Sequence, residues 1–174
     1  MFADTPPTPA GRKRRTLAGL IDLGIVAVYV VVLGMIIAVV FPLVSTPLPS
    51  WVAMALALAF IETPIGVWWW RQEATTGTTI GKRIEGLRVV VIGTDEAPSS
   101  LRCAIRVVAQ LLPWGLAHIL LLVADDPQTA QPWALPGVAV IVTIAIVSIA
   151  AAYVRPDRRA GYDLVANTQV VMMR

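Results

Sequence analysis

Leu17–Phe41 reads LAGLIDLGIVAVYVVVLGMIIAVVF, an apolar run whose one charged residue is Asp22 and which only Thr16 separates from Arg12-Lys-Arg-Arg15. It exceeds the roughly 20 residues that a helix rising ~1.5 Å per residue needs to cross a bilayer. Three further runs of this kind follow, Trp51–Trp70, Cys103–Ala124 and Ala134–Val154, so that about half of the 174 residues lie in apolar stretches. The chain is 57% hydrophobic and 14% charged, against ~25% charged in ordinary soluble domains, and its mean hydropathy is +0.73. A water-soluble globule is excluded. What remains is connectors and tails, too little for a separate soluble catalytic module.

The first run is too long for a secretory h-region and no small-x-small cleavage site follows it, so it reads as a retained anchor. Basic residues then set the topology. Arg12–Arg15 precede the first run, Arg71, Lys82, Arg83, Arg88 and Arg102 lie between the second and third, and Arg155, Arg158, Arg159 and Arg174 follow the fourth; connectors 42–50 and 125–133 have none. Four crossings with both termini cytoplasmic follow. Pro42, Pro47 and Pro49 predict a tight first outer turn, and Asp125, Asp126 and Pro127 mark the second. Trp51, Trp70, Trp114 and Trp133 fall near segment ends, as an aromatic belt requires. Residues 1–14 read as a disordered tail. The net charge of +3 sits beside apolar segments, which points to anionic lipid headgroups and away from nucleic acid. Cys103, the single cysteine, can form neither an intrachain disulfide nor a thiolate metal centre, and no metal or cofactor is expected.

Charged groups within lipid cost roughly 2.5–3.5 kcal/mol on insertion scales and therefore need partners, water or a task. Arg15 and Asp22 share one helix face two turns apart, about 10 Å, too far to pair comfortably with each other. Each is expected to find its partner on a different element, and Arg106, equally shallow at the start of the third run, is the expected counter-charge of Asp22. Glu62 lies near the middle of the second run, with Ala55, Ala59 and Gly66 on a face expected to pack on protein, and Pro64 frees the carbonyl of Phe60 beside it. It reads either as a neutral carboxyl hydrogen-bonded between helices or as a proton or cation site. Gln110 and His118 are weaker candidates, and a lone histidine makes no metal site.

In the polar connector, Gly77–Lys82 superficially resembles a phosphate-binding loop, but the spacing is one residue short and Arg83 stands where a magnesium-binding hydroxyl belongs. A short interfacial helix is expected around Thr79–Glu85, then a β-branched run at 87–92, matched by a second at 168–172. Pairing of these two runs into a small cytoplasmic sheet would tether the tail and bring Asp163 beneath the bundle near Arg15. The predicted fold is an all-α membrane protein, a four-helix transmembrane bundle carrying this small β element.

Arg15-Thr-Leu-Ala-Gly-Leu-Ile-Asp22, Gly77-Thr-Thr-Ile-Gly-Lys-Arg83 and Arg159-Ala-Gly-Tyr-Asp-Leu-Val-Ala-Asn-Thr168 together resemble the RDD family of small bacterial membrane proteins, from about Arg14 to Val171. The resemblance implies that Arg15, Asp22 and Asp163 are the arginine and two aspartates for which the family is named. Thr78, Tyr162 and Asn167 depart from the family's usual Gln, His and Gly. The family is described as transporting unknown ligands, and cation/proton antiport is associated with some members.

Two functions follow. In the first, a cation, proton or small solute follows a polar path along Asp22, Arg106 and Asp163, with Glu62 as a mid-membrane proton site; four helices are few, so a second copy is expected to complete the path. In the second, the chain is a non-transporting accessory or assembly subunit of a larger membrane complex. No enzyme is expected, because Thr143 and Ser148 lack a base and the lone histidine lacks a visible orienting carboxylate.

Overall fold

The structure is a computed structural model that describes residues 8–40, 48–125 and 132–173. The turns expected around Pro42, Pro47 and Asp126–Pro127 lie outside these residues, as do residues 1–7.

Helix α1 spans Arg12–Val40. The second apolar run is composite: α2 covers Ser50–Ala57, a π-helical turn covers Leu58–Glu62, and α3 covers Thr63–Thr76. Pro64 explains the irregular turn, since it cannot donate to the preceding turn and its ring crowds the i−4 carbonyl. That carbonyl, of Phe60, accepts a hydrogen bond from the Tyr29 hydroxyl of α1, and Thr63 Oγ1 donates to Leu58 O at 2.8 Å. The widened turn also rotates the faces on either side of it. Gly66 therefore packs on Leu111, where a Cβ would meet its Cδ1 at 3.1 Å, while Ala55 and Ala59 are exposed. The single protein-facing stripe expected for Ala55, Ala59 and Gly66 does not form.

Helix α4 (Ile80–Ile84), strand β1 (Leu87–Val91), helices α5 (Ser100–Asp125), α6 (Ala134–Val154) and α7 (Gly161–Val165), and strand β2 (Thr168–Met172) complete the order. Four spans, Arg12–Val40, Trp51–Thr76, Ser100–Leu121 and Ala134–Val154, are long and apolar enough to cross a membrane. Their outward faces carry exposed Val28, Met35, Val39, Val108, Ile144 and Val147, the surface that lipid solvates. Helix α5 packs along α3 and α6, whereas α1 makes its close approach to α4.

The two strands pair antiparallel, Leu87 with Met172 through Val91 with Thr168, as the β-branched runs predicted. The free edge of β2 is covered by the N-terminal segment: Ala10 N–H donates to Val170 O at 3.0 Å and Met172 N–H to Thr8 O at 3.1 Å. Ala10, Ala18, Leu87, Val89 and Val170 form a small buried core beneath the sheet. Residues 8–14, expected to belong to a disordered tail, are thus ordered. An open strand edge offers unpaired amides and carbonyls that a neighbouring segment satisfies, and Arg12–Arg14 form the first turn of α1.

Candidate functional site

The charged residues gather at the sheet end of the bundle. Asp163 is fully buried in α7. Its Oδ2 accepts from Arg15 Nη2 at 2.8 Å and from Ala160 N–H at 3.0 Å, and its Oδ1 accepts from Arg106 Nε at 2.9 Å. Burial alone would raise this carboxyl, but the Arg106 and Arg15 guanidiniums outweigh it and hold Asp163 below the usual carboxylate range. Arg159 braces the same loop, donating to Thr168 O and Asp163 O at 3.0 Å each. One short tail motif therefore ties α1, α5, α7 and β2 together.

Arg106, 1% exposed, also pairs through Nη1 with Glu73 Oε1 of α3, and its guanidinium lies 5.0 Å from the centroid of the Tyr162 ring. Lys82 of α4 reaches the same Glu73 oxygen at 2.8 Å. The result is a continuous chain of buried ion pairs, Arg15–Asp163–Arg106–Glu73–Lys82.

Asp22 stands slightly apart from that chain. Its Oδ2 accepts from Thr79 Oγ1 at 2.5 Å and its Oδ1 from Gly81 N–H at 2.8 Å, so the carboxylate caps the start of α4 from another helix. Gly81 is required because α4 presses directly on α1: a Cβ there would lie 2.1 Å from Ala18 O. The connector motif thereby acquires a physical reading residue by residue. Thr79 and Gly81 hold Asp22, Lys82 holds Glu73, and Thr78 Oγ1 donates to Leu87 O at 2.9 Å.

Arg15 and Asp22 do take partners on separate elements, and Asp163 does meet Arg15. The pairing of Asp22 with Arg106 is not found, because Glu73 and Asp163 occupy Arg106 while neutral donors, a hydroxyl and an amide, satisfy Asp22. Glu73 is the residue that sequence reasoning missed. The apolar run ends at Trp70, ahead of Arg71-Gln-Glu, yet the helix continues to Thr76 and ends on Gly77 at φ 68°. Gly77 as the left-handed stop was the available signal.

Glu62 and His118 meet each other: His118 Nδ1 of α5 and Glu62 Oε1 of the π-helical turn are 2.8 Å apart, with the histidine side chain 48% and the glutamate side chain 14% exposed. Neither touches the sheet-end cluster. No group of His, Cys, Asp or Glu fit to hold a metal ion occurs among the described residues.

A cavity of about 380 Å³ lies against the ion-pair chain, between α1 on one side and α3, α5 and α6 on the other. Arg15, Asp22, Glu73, Lys82 and Arg106 line its sheet end, and Trp69, Gln110, Trp114, Ser148 and Tyr153 line its walls.

Four apolar spans joined by this polar end define a multi-pass membrane protein. A model of the RDD family matches residues 9–167, and the chain belongs to that family. Comparison with curated protein sequences and with solved structures returns no match.

Proposed function

We propose that this protein transports a cation, coupled to protons, or a small solute across a bacterial inner membrane, with both termini and the sheet in the cytoplasm. The observation that carries the reading is the cavity bounded at one end by the buried ion pairs: a closed structural bundle has no need of such a space beside its most polar groups. Distribution of arginine and lysine supports the orientation, because the basic connectors all converge on the sheet end. The exposed Ile80 and Ile84 of α4, flanking Lys82 and Arg83, suit a helix lying among anionic headgroups.

In this reading α1 is the moving element. It touches the other spans through few groups, Tyr29 with Phe60 O and Thr16 with Tyr153 at 2.8 Å, so tilting about its α4 contact would open the cavity. The test is flux through the purified protein in liposomes of phosphatidylethanolamine and phosphatidylglycerol, followed with a pH-sensitive dye during cation jumps and by light scattering during solute gradients. Transport predicts flux above protein-free vesicles. Flux indistinguishable from empty vesicles for every cation and solute removes the proposal.

A second reading has its own observation. Both oxygens of Asp22 and of Asp163 are fully hydrogen-bonded, which suits a structural lock in an accessory subunit of a larger membrane complex. It predicts a stable partner on native purification and variants of these residues that lose abundance without changed turnover.

A further inference from the structure

Two carboxylates, Asp22 and Glu73, line the cavity and a third, Asp163, belongs to the ion-pair chain behind it, and the three are not equivalent. Asp22 has both oxygens engaged at α4, although its side chain reaches the cavity wall. Asp163 has both oxygens taken by Arg15, Arg106 and the Ala160 amide. Glu73, 2% exposed, differs: Oε1 carries both Arg106 and Lys82, while Oε2 is buried with no hydrogen-bond partner among the described residues. One turn back on the same helix face, Trp69 Nε1 is buried and equally unpartnered. Both side chains line the cavity. An acceptor and a donor buried without a protein partner are each costly, and a ligand that satisfied both would recover much of that cost.

The charges decide what that ligand is. Arg15, Lys82 and Arg106 already balance Asp22, Glu73 and Asp163, and Arg159 adds a further guanidinium bound only to carbonyl oxygens. A metal cation would meet one available carboxylate oxygen beside two competing cations, at a site of zero or positive net charge. An anion would meet the Glu73 carboxylate. A neutral molecule carrying an N–H or O–H next to an acceptor oxygen avoids both penalties. The remaining walls mix apolar Ala109, Pro113, Ala145 and Ile149 with the polar groups of Gln110, Ser148 and Tyr153, and the volume is at the lower end of the ~300–1,000 Å³ range of small-molecule pockets.

We propose that Glu73 Oε2 and Trp69 Nε1 form the polar end of a binding site for a small uncharged solute of the amide, urea or polyol class, which donates to the carboxylate and accepts from the indole. The proposal rests on the reading of the chain as a transporter, and it narrows that reading from cation to neutral solute.

Binding and flux are measured separately so that the two can fail independently. In nanodiscs of the full chain, saturation-transfer NMR reads binding of acetamide, methylurea and glycerol, and sodium NMR line width reads sodium binding. Trp69→Phe deletes only the indole donor and leaves the ion pairs intact. The expected result is saturation transfer to at least one neutral probe, weakened roughly two- to tenfold in Trp69→Phe, with sodium line width at the empty-nanodisc value. Three outcomes overturn the proposal: no transfer to any neutral probe, equal transfer to wild type and Trp69→Phe, or sodium binding that a neutral probe does not displace. Binding without flux in the liposome assay would retain the site and discard transport; cation-driven proton flux untouched by Trp69→Phe would retain transport and discard the site.

Discussion

Replacing Asp22 by alanine and, separately, by asparagine distinguishes a capping aspartate from a carboxylate that must ionise. In the native state two donors converge on this buried side chain, Thr79 Oγ1 at 2.5 Å and Gly81 N–H at 2.8 Å. Alanine strips both of their acceptor. A hydrogen bond to a charged group contributes about 1.5–3 kcal/mol, so the pair amounts to roughly 3–6 kcal/mol. Thr79 keeps a contact with Lys82 Nζ at 3.2 Å and its hydroxyl can turn, which places the expected loss nearer 3 kcal/mol. Asparagine retains a carbonyl for Gly81 N–H and should restore about half. Thermal unfolding of the purified protein in one detergent, read by soluble fraction after heating, gives the order wild type, then Asp22→Asn, then Asp22→Ala. Equal loss in the two variants would refute the capping argument, because only the charge would then matter; no loss in either would show that α4 does not depend on α1.

Gly81→Ala should destabilise at least as strongly as Asp22→Ala, since its Cβ would sit 2.1 Å from the Ala18 carbonyl and backbone must yield; the same heating assay checks it. Gly161→Ala should cost less, because the nearest obstacle is the Ser148 hydroxyl, and pairing it with Ser148→Ala should recover part of the loss. Asp163 has a folded-state pKa below its unfolded value, so its contribution is complete above the ordinary aspartate range and fades as pH falls through the lower folded value. Stability should therefore be flat from neutral pH to about pH 5 where this group is concerned, and fall below about pH 4, with the acid-dependent part missing from Asp163→Asn. Cys103, fully buried against Pro98 O, should resist maleimide in the folded protein and react once it is unfolded; fast labelling under native conditions would place the start of α5 elsewhere.

The spans, the short helix α4 and the strand pairing were legible because each rests on a local pattern: apolar length, a polar stretch carrying Lys82 and Arg83, or β-branched runs of equal length. The partner of Asp22 was not, because charge complementarity suggested another charge, while the fold supplied a hydroxyl and an amide from a short helix whose docking depends on the absence of a Cβ at Gly81. Glu73 escaped for a related reason. Hydropathy ends a membrane segment where polar residues begin, yet a helix can carry a glutamate past that boundary when Arg106 and Lys82 converge on it. The Glu62–His118 contact joins helices far apart in sequence, and periodicity within one helix carries no information about it.

Double-mutant cycles centred on Arg106 test most directly the claim that one buried guanidinium joins Glu73 to Asp163 and closes the sheet end. With stability measured for Arg106→Met alone and combined with Glu73→Gln, Asp163→Asn or Asp22→Asn, the first two pairs should each show coupling on the order of 1–3 kcal/mol. The pair with Asp22 should be close to additive. Strong coupling of Arg106 to Asp22, with near-additivity for Glu73 and Asp163, would contradict the arrangement.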